Sequence, residues 1–305
     1  MRELPGVDAH PQGRHRAHPQ GPRRGRHRGE RPGRGSGLLT PPHPRDLLDA
    51  ARGGEPRPLA RLISLVEGGD EQAVALARAA PGPDATWVVG LTGAPGAGKS
   101  TLAAALVGLL RRTGERVAVL AVDPSSPFSG GALLGDRVRM QEWATDPGVF
   151  VRSMASRGAS GGLAAAVPDA VRVLAAASWP WVLVETVGVG QGEIDVASVA
   201  DTTLVLVTPG WGDDLQAEKA GLLEVADVFV VNKADRSGAA EARAQLEHML
   251  SLADTGAWRP PVVEATATTG AGVPELWGAV VRHRAWRDAG GQKPRVPRAR
   301  PQTWQ

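Results

Sequence analysis

The sequence predicts an α/β protein of three layers, with a mostly parallel central sheet between helices and a helical extension on its N-terminal side. Three observations predict it. Short apolar runs recur at residues 87–91, 116–122, 150–153, 181–184, 203–207 and 228–231, each of a length suited to a buried strand. Most are followed by a polar loop and then a segment of helical pattern, and strand–helix alternation implies parallel strands with crossover helices. Finally, each polar cluster of Gly, Asp, Asn, Glu and Lys falls just past the end of a run, where open α/β sheets bind ligands.

The 305 residues are 42% hydrophobic, enough for one large domain with extensions. There is no cysteine, which excludes disulfides and thiolate metal sites and fits a reducing cytoplasm. No apolar run approaches the ~20 residues of a membrane span, so no membrane association is expected. Charge is unevenly spread. Residues 1–45 carry ten Arg against three acids, and residues 282–305 carry seven basic residues against one acid. With a whole-chain charge of +3, residues 46–281 are left at −10. An acidic body argues against specific nucleic-acid binding.

In chain order, residues 1–45 are Arg, Gly, Pro and His with few large apolar side chains. They read as a disordered basic arm, because such a segment cannot bury enough surface to offset its chain entropy. Residues 46–83 read as the helical extension, with helices at 46–52, 58–66 and 70–80 and an apolar stripe from Leu47, Leu48, Leu59, Leu62, Ile63, Leu65 and Val66. Residues 84–288 form the main domain, with further helices expected at 101–112 and 163–176. Residues 289–305, rich in Pro and Arg, read as a disordered basic tail.

The main domain opens on a strand that delivers Gly93-Ala94-Pro95-Gly96-Ala97-Gly98-Lys99-Ser100, followed by Thr101. This is a complete G-x-x-x-x-G-K-[ST] phosphate loop between a strand and a helix, and it makes the chain a P-loop NTPase. The glycines let backbone N–H groups turn inward around a polyphosphate, and the helix N-terminus adds a favourable dipole. Lys99 supplies a point charge to the phosphates, and the Ser100 hydroxyl is placed to ligate Mg²⁺.

Asn232-Lys233-Ala234-Asp235 follows the 228–231 strand and fits N-K-x-D. The Asp235 carboxylate can accept from both N1–H and the 2-amino group of guanine, donors that adenine lacks, so the expected nucleotide is GTP or GDP. Asn232 and Lys233 brace that loop, and a backbone amide of the Thr266-Ala267-Thr268 stretch is expected at the guanine O6. Glu185-Thr186-Val187-Gly188 closes another strand. Glu185 is expected to polarise a Mg²⁺-bound water, and the Gly188 amide to meet the γ-phosphate. Asp123 and Asp136, in the long polar loop 123–140, are further carboxylates expected at or beside the metal. The expected catalytic set is therefore Lys99, Asp123, Asp136, Glu185 and Gly188, and the metal set Ser100, Asp123, Asp136 and Glu185. Val189 stands where a water-orienting glutamine would follow Gly188, so slow basal hydrolysis is expected until a partner completes the site. Arg137, Arg139, Arg152 and Arg157 are candidate charge stabilisers.

The motif set resembles one family: Gly93–Thr101, the D-P-S-S-P run at 123–127 leading to Leu134-Gly135-Asp136, E-T-V-G-V-G-Q at 185–191 and P-G-W-G-D-D-L-Q at 209–216 are similar to methylmalonyl-CoA mutase-associated GTPases, the MeaB/ArgK group. The resemblance covers roughly residues 46–285. It implies a GTPase chaperone that gates cofactor loading of an adenosylcobalamin-dependent acyl-CoA mutase and protects that enzyme. It also implies switch regions near 123–139, 185–191 and 208–219, with Lys219 as an ion-pairing switch residue. Family members form homodimers through a helical C-terminal arm, whereas residues 290–305 here are rich in Pro and Arg. The other readings of the motifs are a metallochaperone GTPase, which the His-rich arm favours and the absence of cysteine opposes, and a non-hydrolysing GTP-binding scaffold.

Overall fold

The computed structural model describes residues 42–80, 86–123, 141–143, 145–155, 165–186, 192–211 and 216–292. Those residues belong to one unit, Pro42–Gln305. Most of the basic arm and tail, most of the 123–140 loop and the segment 187–191 lie outside them, and so do the side chains of Asp123 and Lys219.

Three helices lead in: α1 (Pro44–Arg52), α2 (Pro56–Glu67) and α3 (Glu71–Ala79). The first begins two residues earlier than its apolar pattern suggests. Pro44 has its φ already set for a first helical turn, and the His43 side chain accepts from the Arg45 amide at 3.2 Å. In α3 the Asp70 side chain performs the same service for the Ala73 amide, at 2.9 Å.

Seven parallel strands follow: β1 (Trp87–Gly93), β2 (Val117–Asp123), β3 (Val149–Ala155), β4 (Trp181–Glu185), β5 (Thr202–Val207), β6 (Val228–Asn232) and β7 (Val262–Ala265). Their order in the sheet is β3-β2-β4-β1-β5-β6-β7. The helices between are α4 (Lys99–Arg112), α5 (Val167–Ala176), α6 (Gly192–Val199), α7 (Gln216–Val225), α8 (Ala239–Leu252) and α9 (Val273–Asp288). The helix expected from residue 163 starts instead at Val167. Pro168 sits in its first turn, the one helical place where a missing N–H costs no bond.

Central strands buried on both faces need apolar side chains on both sides, which is why β1, β4, β5 and β6 show no polar–apolar alternation. One face packs Val89, Leu91 and Leu183 against Leu102, Leu106 and Leu110 of α4 and Leu276 and Val280 of α9. The other face packs Val88, Val182 and Val184 with Leu59, Leu62 and Ile63 of α2 and Leu174 of α5. Arg52 and Arg78 tie the lead-in helices to this layer, the first to the Ala176 carbonyl and the second to Asp169.

The chain leaves β1 towards β2 on one side and reaches β5 only on the other. The carboxyl end of β1 is therefore the switch point of the sheet, where a crevice opens between diverging connections.

Candidate functional site

The phosphate loop connects β1 to α4 at that switch point. Gly93 pairs in register with Leu206 of β5, and a Cβ built on it would lie 2.3 Å from the Leu206 carbonyl oxygen. Its φ of 136° is open only to glycine. Gly98, at φ 92°, is the N-cap of α4, and a Cβ there would meet the Asn232 side-chain nitrogen at 2.4 Å. These two glycines let the loop turn tightly against its neighbours and leave its concave side to a ligand.

Lys99 and Ser100 are the first two residues of α4, where backbone N–H groups have no partner within the helix. Both side chains are buried. The Lys99 ammonium donates to the carbonyl oxygens of Gly93 and Ala94 at 2.8 and 3.1 Å, so the cation lies across the loop's mouth. The Ser100 hydroxyl donates to Glu185 Oε1 at 2.5 Å. Glu185 ends β4, beside Leu91 of β1 in the ladder, and is 4% exposed. The Thr186 amide continues that pairing to the Leu91 carbonyl at 3.3 Å. Two sequence-predicted metal residues thus meet across adjacent strands.

The opposite wall comes from β6 and β7. Asn232, 2% exposed, donates through Nδ2 to the Ala97 carbonyl at 2.7 Å, and its Oδ1 accepts from the Ala267 amide at 3.2 Å. One side chain therefore links the phosphate loop, the end of β6 and the turn after β7. Lys233 adopts φ 59°, a left-handed conformation unusual for a side-chain-bearing residue, and its ammonium reaches the Gly96 carbonyl at 2.6 Å. Asp235 follows, exposed at the edge of this wall. Of the three amides at Thr266–Thr268, that of Thr266 donates to Ala271 and that of Ala267 to Asn232. Among the described residues the Thr268 amide donates to no one.

Cradle and donor set suit a purine nucleotide with a hard divalent cation. N–H groups at the start of α4 have no partner within the helix and suit an anion, and a hydroxyl and a carboxylate are the oxygen ligands Mg²⁺ prefers. Thr101 is half-buried one residue further along α4. Asp136 and Gly188 lie outside the described residues, as do Arg137, Arg139 and Arg157, while Asp123 is placed by its backbone alone, at the end of β2 beside Ala155.

Arg152 is a correction to the sequence reading. Its guanidinium donates to Glu67 Oε2 at 2.8 Å and to Ser64 Oγ at 2.9 Å. It is engaged by α2 rather than aimed at the phosphate crevice. Register could not reveal this, because the partner lies 85 residues upstream.

The profile of the family described as "Methylmalonyl Co-A mutase-associated GTPase MeaB" matches residues 59–305. The chain belongs to that family. Relatives include a Mycobacterium tuberculosis protein named probable GTPase, 41% identical over 261 residues, which are 81% of this chain and 78% of that one. The Escherichia coli GTPase ArgK is 38% identical over 263 residues, 83% of this chain and 80% of that one. A mouse protein named methylmalonic aciduria type A homolog, mitochondrial, is 40% identical over 201 residues, 64% of this chain and 48% of its own length. Among solved structures, a "LAO/AO transport system kinase" superposes with a TM-score of 0.65 at 30% identity, covering 83% of this chain and 79% of that one. The family is thus one of P-loop GTPases, named for association with methylmalonyl-CoA mutase.

Proposed function

We propose that this member binds GTP at the crevice around β1, hydrolyses it with Mg²⁺, and serves as a nucleotide-dependent chaperone of an adenosylcobalamin-dependent acyl-CoA mutase of the methylmalonyl-CoA type in the cytoplasm. The observation that carries the reading is the 2.5 Å contact between Ser100 Oγ and Glu185 Oε1. It joins the start of the phosphate-loop helix to the strand whose next residues are the glycine-bearing segment 187–191. A group that binds at this contact is linked through the backbone to the segment a partner would read.

Within this reading, Lys99 and the amides of residues 96–100 hold the β- and γ-phosphates, and Asn232, Lys233 and Asp235 hold the guanine. Thr266 and Ala267 shape the turn that presents an amide to O6. Ser100 and Glu185 hold Mg²⁺, with Asp123 and Asp136 beside them, and the ion neutralises charge on the phosphate oxygens when bound. The protein's contribution is positioning and a fixed electrostatic frame, with Gly188 free of a side chain where the γ-phosphate arrives. Val189 leaves no amide side chain to orient water, which supports a slow basal rate that the mutase raises.

Phosphate release from GTP, measured with and without a purified methylmalonyl-CoA mutase and its cobalamin, tests this. The expected result is slow release alone, stimulation by the mutase and no competition from ATP. Release unaffected by the mutase would remove the chaperone reading and leave the nucleotide site standing.

A further inference from the structure

Glu67 is a carboxylate where a helix disfavours one. It is the last residue of α2, in a final turn that holds no basic side chain, near the negative end of the helix dipole. Its side chain is 12% exposed, so water does little to relieve it. Two bonds to β3 offset that cost. Oε2 accepts from Arg152 Nη2 at 2.8 Å, and Oε1 accepts from the Ala155 amide at 3.3 Å. Arg152 Nη2 also donates to Ser64 Oγ at 2.9 Å, one turn earlier on α2. A local rule broken in this way marks a side chain placed for a tertiary purpose.

Ala155 is the last residue of β3 and pairs in register with Asp123, the last residue of β2. Ala121, two residues earlier on β2, pairs on its other side with Glu185 of β4. The backbone of Asp123 is thus one strand across and two residues beyond the glutamate that meets Ser100, about 8 Å away at ordinary strand spacings. β3 has one strand neighbour, and the buried Arg152 Nε and Ser153 Oγ have no partner among the described residues. The two bonds from Glu67 therefore carry much of what fixes this strand end.

We infer that Glu67 is a positioning residue of the nucleotide site, holding the end of β3 against β2 so that Asp123 arrives at a fixed place beside the Ser100–Glu185 contact. The inference rests on the reading of Asp123 as a metal-site residue. Glu67 itself touches neither nucleotide nor metal. It acts through the backbone, because fixing Ala155 restricts the residue beside it on the ladder. Groups that support a metal ligand from behind typically set about 10- to 100-fold in metal affinity, and Glu67, one strand removed, belongs at the lower end. The lead-in helices thereby become part of the GTPase unit as well as a cover for one face of the sheet.

Binding of a fluorescent, non-hydrolysable GTP analogue to the full chain tests this, titrated with Mg²⁺ and repeated in EDTA. Glu67→Ala is expected to raise the Mg²⁺ concentration for half-maximal enhancement of binding about tenfold, with affinity in EDTA within about twofold of wild type. Glu67→Gln keeps an acceptor for the Ala155 amide and is expected to stay within about twofold of the wild-type Mg²⁺ requirement. Glu67→Asp is one methylene short of spanning both bonds. It is expected to raise the requirement about threefold, and carries the test if Glu67→Ala does not fold. Added to Asp123→Ala, Glu67→Ala is expected to give no further shift, because both changes remove the same placement. An unchanged requirement in the Glu67→Ala and Glu67→Asp variants, beside a raised one in Asp123→Ala, overturns the positioning role and leaves Asp123 at the metal. An unchanged requirement in Asp123→Ala overturns the reading of Asp123 and the role of Glu67 with it. Equal shifts in Glu67→Ala and Glu67→Gln, or additive shifts in the double variant, would mean a general loosening of the fold and would also overturn the proposal.

Discussion

The two ends of the parallel strands bury polar side chains to opposite effect. At the carboxyl ends, Lys99, Ser100, Glu185 and Asn232 are buried but gathered around the loop between β1 and α4. At the amino ends, the polar groups close on one another. Trp87 Nε1 donates to Thr202 Oγ1 at 2.8 Å, the same oxygen lies 2.8 Å from His283 Nδ1, and His283 Nε2 lies 3.5 Å from Asp227 Oδ1. Asp227 Oδ2 takes the Thr203 amide at 2.7 Å, and the rings of Trp258 and Trp286 pack against His283. His283 is 0% exposed. A threonine, a histidine and an aspartate in line resemble catalytic machinery on paper, yet no substrate can reach them. Burial makes a polar cluster structural unless a cavity opens onto it.

The largest effect that would break this contrast is on guanine selection. Asp235→Ala removes the acceptor for two guanine donors, and competition binding is expected to show the GTP-over-ATP preference falling by about 10⁴-fold. Unchanged preference would mean the base is read elsewhere. Lys99→Ala, which removes the ammonium that donates to the Gly93 and Ala94 carbonyls, is expected to cut single-turnover hydrolysis by roughly 10³-fold while the melting temperature stays nearly constant. Glu185→Gln leaves a hydrogen-bond partner for Ser100 but removes the charge. Its expected cost is about 10²-fold in hydrolysis, with a raised Mg²⁺ requirement read by titration.

The amino-end network should behave in reverse. Asp227→Ala removes the carboxylate that takes the Thr203 amide and lies beside His283 Nε2, and is expected to cost about 3 kcal/mol in urea unfolding without altering GTP affinity. The smallest effect is also at the amino ends, just before β3. The Arg111 guanidinium, with help from the Gly148 amide, holds the Asp146 carboxyl below its usual 3.8. A depressed folded value means the stabilisation is present above the unfolded pKa and lost as pH falls through the folded one. The stability gap between wild type and Asp146→Asn should therefore be flat above about pH 5 and close below pH 3.8.

Much of the site was legible because its signals are local. Gly93–Ser100 is one contiguous run whose turns follow from its glycine spacing, and Asn232–Asp235 is a contiguous run at the end of a strand, so both can be picked out without knowing the fold. Arg152 was not legible. A lone arginine on a strand carries no mark of what faces it, and Glu67 faces it only because α2 lies along the β3 edge. His283 was equally silent, since its partners begin three different strands or their approaches. The His43 cap was hidden by composition, one histidine among five in an Arg-rich arm.

By itself the sequence determined the class of fold, the nucleotide chemistry and the places where the chain turns, because strand length, helical period and glycine spacing are short-range properties. Only the tertiary structure decided that Ser100 meets Glu185 and that Asn232 bridges two loops. Those outcomes depend on strand order, and strand order is set by which apolar faces bury against which, a choice that no stretch of neighbouring residues contains.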